Sequence, residues 1–174
     1  MMPISEQQCV IYEAQCDTQD IAHVYEMLLM LTSELDCSAL GVLNHDDDLL
    51  LTILCNKGKL IADYSCGMSF EEMYAEYDDE LPDMDEEADE PQGQQKEEQA
   101  RVMVDYLSEA CDEVNKEALL EVLMQDFVFA IEAHEKLVEV VGLPECSIGL
   151  GYNHINEGQI EDQLDSKQLM QIGN

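Results

Sequence analysis

Leu49–Cys55, LLLTILC, is the stretch that most restricts what this chain can fold into. An apolar run so short and so nearly continuous reads as a strand, either buried on both faces or central in its sheet. Its flanks agree. Asn44–Asp48, NHDDD, is polar and turn-prone, and Asn56-Lys57-Gly58-Lys59 places a glycine where a tight hairpin needs positive φ. Ala39–Leu43 precedes the run as one strand. Lys59–Tyr64 follows as another, with Leu60, Ala62 and Tyr64 alternating against Ile61 and Asp63. Residues Ser38–Ser65 therefore read as a three-stranded meander.

The remaining chain supplies material to pack on it. Cys9–Ala14 is short and rich in β-formers, so a first strand is expected there. Asp17 or Thr18 is placed to cap a helix from Thr18 to Asp36, in which Ile21, Val24, Tyr25, Leu28, Leu29, Leu31 and Leu35 fall at helical spacing. Ser69 and Glu72 fit a capping box for a short helix. Residues 78–95 hold Pro82, Pro91 and Gly93 among acids and read as a flexible acidic insert. Helical spacing returns from Glu97, again after the cap-type residue Asn115, and from Asp126 to Val141, where Gly142 and Pro144 end it. Ser147–His154, SIGLGYNH, suggests a last strand, and a loose tail is expected from about residue 157. Strands followed by helices predict an α+β fold, an antiparallel sheet of four to five strands covered on one face by helices. At 174 residues, one domain spanning 1–174 is the expectation.

Charge is the second strong feature. Forty Asp and Glu face seven Lys and Arg, a formal net charge of −33. Twelve of the acids lie in Glu71–Glu90, so the rest of the chain still carries 28 against seven bases, or −21. Such a field repels nucleic acid and anionic membranes and draws basic protein surfaces toward it, more weakly as salt rises. Direct phosphate binding needs basic patches, and Arg101 is the single arginine. The plainer reading is solubility or adaptation to salt.

Seven cysteines, an odd number at wide spacing without a CxxC pair, suit free thiols in a reducing cytoplasm better than a disulfide framework or zinc motif. The first fifteen residues lack a basic region followed by an apolar core, and no apolar run approaches the roughly 20 residues of a membrane span.

Two stretches carry a resemblance. HDDDLLLTILCNKGKLIADYS at His45–Ser65 and DFVFAIEAHEKLVEVVGLPECSIGLGYNHINEG at Asp126–Gly158 are similar to a group of uncharacterised bacterial proteins. That group shares an acidic turn, a G-x-L-I-x-x-Y hairpin and a late GLP…GxGY segment. The resemblance covers about a third of the chain and implies a bacterial or phage-borne cytoplasmic domain, with no activity attached.

Among candidate sites, His45, Asp46 and Asp48 in the NHDDD turn bring oxygen and nitrogen donors together, as Mg²⁺, Mn²⁺ or Ca²⁺ would require. The EF-hand spacing is missing, and consecutive side chains on a loop diverge, so a solvated turn is the plainer reading. His23, His45, His134 and His154 are each more simply structural, satisfied histidines, and no cysteine stands out as paired with one of them. GxSxG, HExxH, GxxxxGK[ST] and GxGxxG are absent, and nothing calls for a cofactor. Glu97, Glu98, Asp105, Glu109, Asp112, Glu113, Glu117 and Glu121 lie on helical stretches whose opposite positions are apolar. A rigid face of carboxylates fits the basic groove of a nuclease or other DNA-binding protein.

The functional expectation is accordingly a non-enzymatic acidic module that blocks a basic protein partner, as a DNA mimic or immunity-type inhibitor. It would touch neither nucleic acid nor membrane directly. The alternatives are a metal-dependent enzyme built on His45–Asp48 and a salt-adapted domain without a specific partner.

Overall fold

The computed structural model describes residues 2–3, 9–45, 49–67, 92–111 and 114–158. In chain order they form β1 (Met2–Pro3), β2 (Cys9–Val10), α1 (Ile21–Glu34), β3 (Ser38–His45), β4 (Leu49–Asn56), β5 (Lys59–Gly67), α2 (Gln92–Ala110), α3 (Lys116–Met124), α4 (Ala130–Val141) and α5 (Tyr152–Asn156). The architecture is α+β. The sheet has three antiparallel strands in the order β3-β4-β5, and β1 and β2 form a separate two-residue ladder, so the main sheet is smaller than the four to five strands expected.

β4 is the centre. Every residue from Leu49 to Cys55 is buried, and successive side chains serve opposite faces. Leu49, Leu51, Ile53 and Cys55 pack with Ile21, Val24 and Leu28 of α1. Leu50 and Leu54 pack with Met103, Leu107, Leu119, Leu123 and Leu137 of α2, α3 and α4. Helices therefore cover both faces rather than the single face expected, because β4 is apolar on both and each side requires a cover. A cavity about the size of one water, roughly 10 Å³, remains between Thr52, Tyr64 and Cys66 of the sheet and Leu123 and Leu137 of the helices.

Local chemistry sets the joints. Lys57 and Gly58 both take positive φ, 51° and 74°, as a two-residue primed hairpin turn requires. Gly58 has a second reason to lack a side chain, since a Cβ there would lie 2.9 Å from Ser33 Cβ. Its N–H donates to Thr32 Oγ1 at 3.0 Å, which hooks the hairpin onto the end of α1. Ile61 is a bulge, the register passing from Leu54↔Ala62 to Cys55↔Leu60. Asn115 caps α3 by accepting from Glu117 and Ala118 N–H, and Gly142, at φ 73°, ends α4. α2 begins at Gln92, inside the stretch read as an acidic insert. Residues 78–91, the short helix suggested after Ser69, and the tail after Gly158 lie outside the described residues.

Three expected elements differ. The strand at Cys9–Ala14 stops at Val10, because Glu13 turns the chain by accepting from Gln15 and Cys16 N–H at 2.9 and 3.1 Å. Asp20, not Asp17 or Thr18, caps α1, accepting from His23 N–H. Asp17 instead accepts from Tyr152 and Asn153 N–H at 2.8 and 2.7 Å, starting α5. With Gly149 at φ 63° turning the chain just before, Ser147–His154 becomes a short 3₁₀ turn (Glu145–Ser147) and helix α5, not a strand.

α1 packs close over Gly41, where a Cβ would lie 2.5 Å from Leu28 Cδ1. Gly41→Val should force that buried leucine aside and destabilise the fold by about 1–3 kcal/mol, read from urea unfolding. No change in the midpoint would mean that α1 is free to ride outward.

Candidate functional site

α2 shows one face to the core and another to water. Ala100, Met103, Val104 and Leu107 are buried, while Glu97, Glu98, Arg101, Val102, Asp105 and Glu109 are exposed. At 100° per residue these six fall within one arc of the helix. Arg101 neutralises one carboxylate, reaching Glu97 Oε1 at 2.6 Å. The face continues onto α3, because Lys116 Nζ meets Asp105 Oδ1 at 2.7 Å and ties the start of α3 to the middle of α2. Asp105, with Glu109 adding to it, raises the Lys116 ammonium above its ordinary range. Glu117 and Glu121, one turn apart, carry the exposed acids along α3.

The eight carboxylates named from the sequence thus divide. Glu97, Glu98, Asp105, Glu109, Glu117 and Glu121 are all exposed on this adjoining pair of helices, and Asp112 and Glu113 lie outside the described residues. Exposed acids also stand on α1, at Glu26 and Glu34, and on α4, at Glu132, Glu135 and Glu139. α1 and its C-cap also expose Met30 and Leu35 beside their acids, so what sets α2–α3 apart is six exposed acids on two joined helices together with an apolar border. Met124 closes the exposed face of α3, and the loop beyond exposes Asp126, Val128 and Phe129, Val128 to 79%. Large apolar side chains in water beside an acidic face are the usual anchor-and-rim composition of a docking surface.

Linear charge density sharpens the picture. Glu97 to Glu109 spans about 18 Å of helix at about 1.5 Å per residue. Four carboxylates less Arg101 and the Lys116 paired with Asp105 leave about one net charge per 9 Å, against one per roughly 3.4 Å on a DNA strand. The face matches a basic surface without copying a duplex charge for charge.

Of the turn suggested as a cation site, His45 ends β3 opposite Leu49, and Asp46 and Asp48 lie outside the described residues. Among the described residues, donors of metal-ligand type converge elsewhere, at Glu13, Cys16 and His23. His154 accepts from Gly151 N–H through Nδ1 at 3.2 Å. His134 departs from the expected satisfied histidine: it is 3% exposed on α4, and neither ring nitrogen has a hydrogen-bond partner. Burial alone pushes its pKa down to about 4. The seven cysteines form no disulfide with one another. No described helix is long and apolar enough to cross a membrane.

No family model matches the chain, and comparison with curated proteins and with solved structures gave no match either.

Proposed function

We propose that the chain is a non-enzymatic, acidic protein-binding module whose α2–α3 face docks on, and blocks, a basic protein surface that handles nucleic acid. The observation that carries this is the joined face of six exposed carboxylates bordered by Met124, Val128 and Phe129. Carboxylates steer a basic partner in and set its orientation, and the apolar side chains supply desolvated anchors. Seven cysteines without a disulfide among them support a reducing, cytoplasmic setting. The low charge density favours occupying a basic groove over close imitation of DNA.

The test is capture of host proteins at low salt, elution in a salt gradient, and repetition with excess duplex DNA. A defined basic partner displaced by DNA is the expected result. Glu98→Lys with Glu109→Lys should then weaken that partner's binding by about tenfold or more, chiefly through slower association. Glu26→Lys with Glu34→Lys, on α1, should leave it within about twofold. Equal losses from the two pairs, or indifference to DNA, would overturn the proposal.

A further inference from the structure

Between β2 and α1 the chain makes a turn that no helix or sheet requires. Glu13 holds it, its Oε2 accepting from Gln15 and Cys16 N–H and lying 3.0 Å from His23 Nε2. These bonds outweigh burial and hold the Glu13 carboxyl below the usual carboxylate range. Asp20 caps α1 and so fixes where that helix begins, which sets the direction in which His23 leaves it. One donor atom from each of Glu13, Cys16 and His23 lies within 4.8 Å of the other two. Cys16 Sγ is also 3.8 Å from Met27 Sδ.

The spacing explains the convergence. Glu13 and Cys16 stand three apart on a turn, so both side chains leave on one side. His23 and Met27 stand four apart on α1 and share a face. A turn and a helix thus bring Glu13, Cys16 and His23 together, with Met27 beside Cys16. Ligands at about 2.0–2.3 Å from a tetrahedral ion lie about 3.3–3.8 Å from each other. The Glu13–His23 separation is already slightly inside that range, and the remaining donors need to close by about an ångström or less.

We propose that Glu13, Cys16 and His23 form a zinc-binding site, with Met27 packed against the thiolate. Carboxylate, thiolate and imidazole are all zinc ligands, and three of them leave a fourth position open. Mg²⁺ and Ca²⁺ are excluded by the sulfur and nitrogen donors. Zinc replaces the Glu13–His23 hydrogen bond, the neutral imidazole offering Nε2 with its proton on Nδ1, and Cys16 loses its thiol proton to solvent as the Zn–S bond forms, so binding releases one proton. His23 and Glu13 side chains are 27% and 34% exposed, which leaves the ion a path from water.

The site would act as a clip. The segment it holds also carries Tyr12, whose hydroxyl donates to Cys146 O at 2.8 Å, and Asp17, which starts α5. Zinc would therefore fasten to α1 the same turn that fastens the C-terminal elements.

The experiment is titration of the reduced full-length chain with Co²⁺, followed by Zn²⁺. A single equivalent of cobalt should produce a thiolate-to-cobalt charge-transfer band in the near ultraviolet, which zinc then abolishes. Cys16→Ser should lose the band. His23→Gln should weaken binding by at least the roughly tenfold that loss of an outer-shell partner alone costs. Cys37→Ser should leave the titration unchanged. Zinc should also protect Cys16, and not Cys9, from alkylation followed by mass spectrometry, a readout that needs no variant. Cobalt bound without a thiolate band, a band that survives Cys16→Ser, or no protection of Cys16 would overturn the site.

Discussion

Leu51→Ala is expected to lower the unfolding free energy by about 2–5 kcal/mol, as truncation of a fully buried leucine does where neighbours relax only partly. Leu51 is 0% exposed and lies among the α1-side residues of β4. Leu119, also 0% exposed, belongs to the opposite cluster, and Leu119→Ala should cost a similar amount. The two sites share no apolar cluster and stand on opposite sides of the sheet, so the double variant should show the summed loss to within about 0.5 kcal/mol. Guanidinium unfolding reads all three, with the midpoint shifting and the slope against denaturant unchanged. A sheet covered on one face would answer differently. One of the two truncations would then fall on a wet surface and cost well under about 1 kcal/mol.

The contrast shows which features of the fold are local. LLLTILC announces β4 because its burial is written in its own side chains, and Asn56-Lys57-Gly58-Lys59 announces the hairpin because positive φ is a property of those residues. Asn115 and Gly142 are legible for the same reason. Even the two-sided cover is written in the run, since every residue from Leu49 to Cys55 except Thr52 is apolar and they point to both faces. What the local pattern misses is competition from far along the chain. Asp17 resembles a cap for the helix that follows it, yet its bonds go to Tyr152 and Asn153, 135 and 136 residues away. Those same bonds convert SIGLGYNH from a plausible strand into a turn and a helix.

The surface divides in the same way. Period alone places Glu98, Asp105 and Glu109 on one face of α2, but it does not show that Lys116 joins that face to α3, nor that Val128 and Phe129 stay in water. Their hydrophobicity alone would have placed them in the core. Glu13, Cys16, His23 and Met27 are not legible as a group because two spacings have to be combined, one of a turn and one of a helix. Three-apart and four-apart pairs of donor types within fifteen residues were the available sign.

His134 yields a pH dependence whose direction follows from its burial. In the folded chain the ring sits among apolar neighbours without a partner and stays neutral down to about pH 4. In the unfolded chain it takes a proton below about 6.5. Between those values the unfolded state binds more protons, so stability rises with pH across the window and is lost as pH falls through it. Two and a half pH units correspond to about 3 kcal/mol at the lower end. The many carboxylates titrate in an overlapping range, so the informative quantity is the difference from His134→Leu, which keeps that background. Leucine fills a similar volume without leaving two ring nitrogens unpaired, so the variant should be at least as stable as the parent at pH 8. Its advantage should widen by about 3 kcal/mol between pH 6.5 and pH 4, measured by urea unfolding at each pH. A constant difference would mean that the folded ring takes up its proton at the ordinary pH, through opening of α4. A difference that shrinks on acidification would require a carboxylate against the ring, which would have raised its pKa instead of lowering it.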